Sequence, residues 1–227
     1  MYTIARSMGN KKEELEIIVQ QQSYDVVNIT EMWWDDSHSW STMLDGYKLF
    51  RRDRKGRRGG GVALYIRETF GTITIETSDE EVECLWVKIK GKANKADIPP
   101  GVCCHPPNQE EEVDNLFYTQ LENVSGLSPL VLVSDFNLPD ICWELNTVEK
   151  RQSRKFLECV EDNFLLQLVG EPTRGGTRLD LLFANREGLV GDVVVGDRLG
   201  HVDHEIIEFS IFGDIRRNIN RTFILDF

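Results

Sequence analysis

Short apolar runs separated by turn residues dominate the chain. Nine of them read as strands: Val26–Thr30, Val62–Ile66, Thr72–Glu76, Cys84–Ile89, Gly101–Cys104, Leu130–Ser134, Leu179–Ala184, Asp192–Val195 and Glu205–Ile211. Many are rich in β-branched residues, which suit a pleated surface. Three other segments repeat their apolar positions at helical spacing. Leu15, Ile18, Val19 and Gln22 share one face. Val113, Leu116, Phe117, Leu121 and Val124 share a second, and Phe156, Leu157, Val160 and Phe164 a third, bounded by Asp162-Asn163. Strands and helices occur in mixed order without clean βαβ alternation. This predicts an α/β sandwich of two packed sheets flanked by helices. No internal repeat or low-complexity linker divides the chain, so residues 1–227 read as a single domain. Pro99-Pro100 stands where a strand should run into Gly101. A proline lacks the ladder donor, so the strand is expected to begin only at Gly101, unless the sequence has drifted there.

Composition narrows the function. The chain has 227 residues, 26 basic and 38 acidic, for a net charge of −12. That balance argues against indiscriminate binding to nucleic acid. The charge is uneven, however: residues 51–58 read RRDRKGRR, either a solvated turn or a compact phosphate-gripping loop. No apolar window approaches the roughly 18 residues of a membrane helix, and no signal-peptide pattern opens the chain. Five cysteines without zinc spacing read as reduced thiols of an intracellular protein, nuclear or cytoplasmic.

Four places put metal-loving or proton-handling residues at the end of an apolar strand. Glu31 follows Val26–Thr30. Asp135 and Asn137 follow Leu130–Ser134, and in extended chain residues i and i+2 point to the same side. Asp180 sits inside the run Leu179–Ala184, where a carboxylate needs a partner such as histidine. Asp203-His204 precedes the last strand, and a histidine held by a carboxylate can act as a general base or stabilise charge. Singly, each is equally an exposed carboxylate, an Asx turn or a strand-end cap. Together, in this order, they form a pattern whose hard oxygens suit Mg²⁺ or Mn²⁺.

The stretches ARSMGNKKEELE, ITEMWWDDSHSW, DGYKLFRRDRKGRRGGGVALYIRE, VECLWVKIKGKANKADI, SDFNLPDICW, QSRKFLECVEDNFL and GLVGDVVVGDRLGHVDHEIIEF span roughly residues 5–210. In them the chain resembles the endonuclease/exonuclease/phosphatase superfamily. More narrowly, it is similar to the endonuclease domain of non-LTR (LINE) retrotransposons of the chicken-repeat class. The resemblance implies a four-layer α/β sandwich with its site at one rim. It implies Mg²⁺-dependent nicking of DNA that leaves a 3′-hydroxyl to prime reverse transcription. By position, Glu31 and Asp203 correspond to metal-site carboxylates. Asp135 matches the residue that orients or deprotonates water, Asn137 its phosphate-contacting neighbour, and Asp180 the residue that orients the catalytic His204. Asn108 matches an asparagine of the substrate site, and His105, Arg54 and Arg57 are further candidates for contacting phosphate. The implied partner is DNA, with no membrane, no small-molecule cofactor and a monomeric chain. The basic loop and Trp33, Trp34 and Trp40 favour a polymeric substrate.

The chain also departs from that pattern. Ile4 stands where the family carries an asparagine, Cys104 where it carries a phosphate-contacting tyrosine, Ser134 where it carries glycine, and Val202 where it carries serine. Loss of one preorganised donor commonly lowers turnover by about 10²–10³. The expectation is therefore a nuclease of impaired activity. The alternatives are an inactive decayed copy that only folds or binds nucleic acid or protein, and a phosphatase of small esters on the same core.

Overall fold

The computed structural model describes residues 1–8, 11–32, 43–54, 60–77, 79, 81–91, 97–98, 100–106, 109–126 and 128–212. Among them the strands are β1 (Tyr2–Ile4), β2 (Val26–Thr30), β3 (Tyr47–Arg52), β4 (Val62–Arg67), β5 (Thr72–Ile75), β6 (Cys84–Ile89), β7 (Pro100–Cys104), β8 (Val131–Asp135), β9 (Leu166–Gln167), β10 (Asp180–Ala184), β11 (Val190–Gly196) and β12 (Ile206–Ile211). The helices are α1 (Lys12–Gln22), α2 (Glu111–Ser125) and α3 (Arg151–Asp162). Two six-stranded mixed sheets run β11-β12-β1-β2-β4-β3 and β5-β6-β7-β8-β10-β9.

Side-chain alternation along the strands assigns the layers. In β2 and β4, Val27, Ile29, Ala63 and Tyr65 pack with Leu15 and Val19 of α1. The opposite face of β4 carries Val62, Leu64 and Ile66, which meet Leu85, Val87 and Val102 of the second sheet. Tyr2 and Ile4 likewise meet Val131, Val133 and Leu182 across the gap. On the outer face of the second sheet, Leu132, Leu181 and Phe183 pack against Phe117 and Leu121 of α2 and Phe156 and Val160 of α3. The order is helix, sheet, sheet, helices: a four-layer α/β sandwich, as the sequence implied.

Several local details differ from expectation. Strand β7 begins at Pro100, whose parallel partner is Val131. Gly101 lies opposite Trp86, whose ring atoms would be 2.2 Å from a Cβ at that position, so only glycine fits beneath the indole. Phe164 is not on the buried face of α3; it lies past the helix end with 81% of its surface exposed. The five cysteines are not all free thiols. Cys84 and Cys103 face each other in register, Cα atoms 4.1 Å apart, and form a disulfide, while Cys104, Cys142 and Cys159 are free. Among the described residues no helix is long and apolar enough to cross a membrane.

Candidate active site

One rim of the sandwich collects the ends of strands from both sheets. Antiparallel pairing of β8 with β10 sets Asp135 directly opposite Asp180. Parallel pairing of β7 with β8 sets Cys104 beside Asp135. In the first sheet, β1 runs parallel to β2, so the loop after Ile4 leaves the rim next to Glu31; Ser7 N–H donates to the Glu31 carbonyl at 3.1 Å.

Asp180 and His204 are fully buried. Asp180 Oδ2 lies 2.7 Å from His204 Nδ1, and Tyr2 Oη donates to Asp180 Oδ1 at 3.1 Å. Tyr2 Oη is also 3.1 Å from Thr30 Oγ1. The Asp180 backbone is pinned by Thr173, whose Oγ1 accepts from the Leu179 and Asp180 N–H groups at 3.1 and 3.0 Å. With Nδ1 taken, His204 presents Nε2 as its ring nitrogen for a substrate. Burial lowers the affinity of His204 for its proton, but the hydrogen bond and charge of Asp180, with the charge of Asp135, outweigh it, and the net shift is upward.

Asp135 is buried beside a second carboxylate. Desolvation, then the charge of Asp180, push its pKa up to about 7, against the opposing pull of His204 and of the Asn137 N–H. That N–H donates to Asp135 Oδ1 at 3.0 Å, and Asn137 Nδ2 donates to the His105 carbonyl at 3.1 Å. Ligand atoms of Asp135, Asp180 and His204 all lie within 4.8 Å of one another.

A second set lies closer to solvent. Arg6 Nη1 is 2.6 Å from Asp203 Oδ1, and Arg6 Nε is 3.5 Å from Glu31 Oε2. Arg174 Nε donates to Asp203 Oδ2 at 2.8 Å. Some desolvation opposes it, but Arg6 and Arg174 hold the Asp203 carboxyl below its usual range. Arg6, Ser7, Glu31 and Asn137 all take positive φ (43°, 81°, 55° and 50°), a conformation that costs a non-glycine residue roughly 1–3 kcal/mol and clusters at functional sites. Glu31 and Asp203 converge on one positive group. Two carboxylates aimed at a common centre are a donor set that fits a hard divalent cation.

The remaining sequence candidates are placed elsewhere. The His105 ring turns away from the rim, with Nε2 2.9 Å from Asp114 Oδ1 of α2, so its contribution to the rim is its backbone carbonyl. Arg54 is paired with Glu83, whose other oxygen accepts from Gly61 N–H at 2.9 Å. Arg52 is likewise engaged, by Thr77, Cys84 and Asp79. Asn108, Arg57, Trp33, Trp34 and Trp40 lie outside the described residues. Ile4 and Val202 sit in the apolar seam between the sheets. Cys104 is buried, and burial pushes its thiol far above the usual range. Tyr2, Thr173, Arg6 and Arg174 are site residues that the sequence reading missed. Of these four, only Arg6 lies in a stretch that carries the family resemblance.

Comparison with solved structures agrees with this architecture. The endonuclease domain of TRAS1, a telomere-specific non-LTR retrotransposon, superposes with a TM-score of 0.71 at 17% identity, covering 92% of this chain and 96% of that one. An AP endonuclease from Leishmania major gives 0.71 at 12% identity, over 90% and 84% of the two chains. A mannosyl-6-phosphatase from Bacteroides thetaiotaomicron gives 0.61 at 14% identity, over 93% and 97%. No curated protein sequence matches significantly. Residues 5–211, from the strained loop at Arg6 to the end of β12, match the endonuclease/exonuclease/phosphatase family, and the chain belongs to it.

Proposed function

We propose that the chain is a divalent-metal-dependent DNA endonuclease of the retrotransposon type, which nicks a target strand to expose a primer end for reverse transcription. The carrying observation is the buried set Asp135–Asp180–His204, held by β-ladder register and by Tyr2 and Thr173. In this reading Glu31 and Asp203 hold Mg²⁺ or Mn²⁺, which would offset negative charge on the phosphoryl group. Asp135, its proton affinity raised near neutrality, takes a proton from the attacking water. His204, kept protonated by Asp180, donates from Nε2 to a phosphate oxygen as charge develops there. Asn137, fixed by the His105 carbonyl, orients its amide beside Asp135.

Cys104 supplies no phenolic hydroxyl, and Ile4 supplies no amide. Each loss is expected to lower turnover by about 10²–10³ relative to a site with that donor in place. Incubation with supercoiled plasmid and Mg²⁺, beside His204→Ala, tests the proposal. Relaxed circles from the parent but not the variant support it. Absence of nicking by folded protein would favour the inactive-copy reading, and release of phosphate from sugar phosphates without nicking would favour a phosphatase.

A further inference from the structure

We propose that Arg6 is a built-in counter-cation of the Glu31–Asp203 pair, which a divalent metal must displace in order to bind. The proposal rests on the reading of these two carboxylates as metal ligands. Three observations carry it. First, the Arg6 guanidinium spans the gap, with Nη1 2.6 Å from Asp203 Oδ1 and Nε 3.5 Å from Glu31 Oε2. Those are oxygens that a metal at about 2.0–2.1 Å would require, so guanidinium and ion exclude each other there. Second, the backbone at Arg6 and Ser7 is held left-handed, at φ of 43° and 81°, which fixes the root of the side chain at the rim. Third, the partners are unequal. Asp203 keeps Arg174 at 2.8 Å when Arg6 leaves, whereas Glu31 has no other salt-bridge partner among the described residues. Arg6 is about one-third exposed, so its side chain has solvent to swing into.

Binding is then a competition. The apparent dissociation constant equals the intrinsic one divided by the fraction of molecules in which Arg6 has swung clear. If that fraction is about one-tenth, removal of the guanidinium tightens metal binding about tenfold. Lysine at this position retains a cation and keeps most of the competition.

Mn²⁺ binding to the full chain, followed by electron paramagnetic resonance of the free ion, tests this in the parent and in Arg6→Gln, Arg6→Lys and Glu31→Gln. The expected order is about tenfold tighter binding in Arg6→Gln, near-parent binding in Arg6→Lys and loss of binding in Glu31→Gln. Unchanged or weaker binding in Arg6→Gln, with binding lost in Glu31→Gln, overturns the role of Arg6 and leaves the metal site standing. Parent-like binding in Glu31→Gln overturns both. Should Arg6→Gln fail to fold, the Arg6 Nε–H resonance of the parent, assigned through Arg6→Lys, decides the matter. Mg²⁺ is expected to move that signal toward the position of a free guanidinium while Arg67, paired with Asp25, stays put. An unmoved Arg6 signal at saturating Mg²⁺ overturns the proposal.

Discussion

His204 meets Asp180 at the rim where the two sheets end, and His105 meets Asp114 beneath α2; the first pair is 2.7 Å apart, the second 2.9 Å. All four residues are buried, so neither burial nor the hydrogen bond separates a chemical pair from a structural one. The surroundings do. Asp114 collects three side-chain donors: His105, then Gln109 and Gln152 at 2.9 and 2.8 Å. Against the desolvation that would raise it, these bonds hold its carboxyl below the usual range. It is a satisfied anion that ties β7 to α2 and α3. Asp180 instead lies opposite a second buried carboxylate, Asp135, which desolvation and that proximity push up to about 7. The His105 ring leaves its Nδ1 buried beside Phe136, without a partner among the described residues. Crowded like charge next to an available imidazole nitrogen is a means of moving protons. A carboxylate ringed by donors is a means of holding layers together.

The two histidines are expected to part most widely when each is deleted. His204→Ala is expected to lower nicking by about 10²–10⁴, beyond any loss of stability from unpairing Asp180; His105→Ala is expected to lower the melting temperature while leaving nicking by the folded fraction within about tenfold. Rates and thermal melts on the same preparations decide it. Asp135→Asn should separate function from stability within one residue. Because the folded pKa lies above the unfolded one, Asp135 favours the fold fully only below about pH 3.8, and that favour is lost as pH rises through about 7. The amide variant should therefore lose turnover yet melt about 2–4 °C higher at pH 8 for each kcal/mol relieved, with the gain shrinking toward pH 4. A lower melting point at pH 8 would contradict the crowding argument.

Asp114→Ala removes the acceptor that His105, Gln109 and Gln152 share. It is expected to cost about 1–3 kcal/mol in urea unfolding while leaving nicking by the surviving folded fraction within about tenfold. Smallest is Tyr2→Phe, which removes one donor from Asp180 and is expected to slow nicking by about tenfold, the lower end for a hydrogen bond to a charged group. An effect as large as that of His204→Ala would make Tyr2 a direct participant.

Most strands were legible because their apolar runs are continuous or alternate, and Cys84–Ile89 was read to the residue. Those missed lack that signal. β1 has only three residues, β9 has two, and β3 (Tyr47–Arg52) mixes cations into an edge strand whose residues are mostly half-buried. The acids and His204 were legible because each interrupts, ends or leads into an apolar run. Tyr2 was not, since its tie to Asp180 spans 178 positions and exists only once β1 enters the first sheet. Nor could sequence tell which way the His105 ring turns. Its neighbours Cys104 and Pro106 carry no hint of Asp114, nine residues on and one layer away.

The opposition of Asp135 and Asp180 in adjoining strands also bears on how such a chain tolerates change. Their separation is set by ladder register and not by the polypeptide that joins them. The segment between includes the exposed turn around Glu144–Asn146 as well as α3. Residues could be added or removed at that turn, or the chain reopened there with new termini, without moving the two carboxylates apart. A one-residue slip of β10 against β8 would instead turn every side chain of that strand to the opposite face and carry Asp180 away from His204. Drift in length is harmless in the first case and abolishes the site in the second.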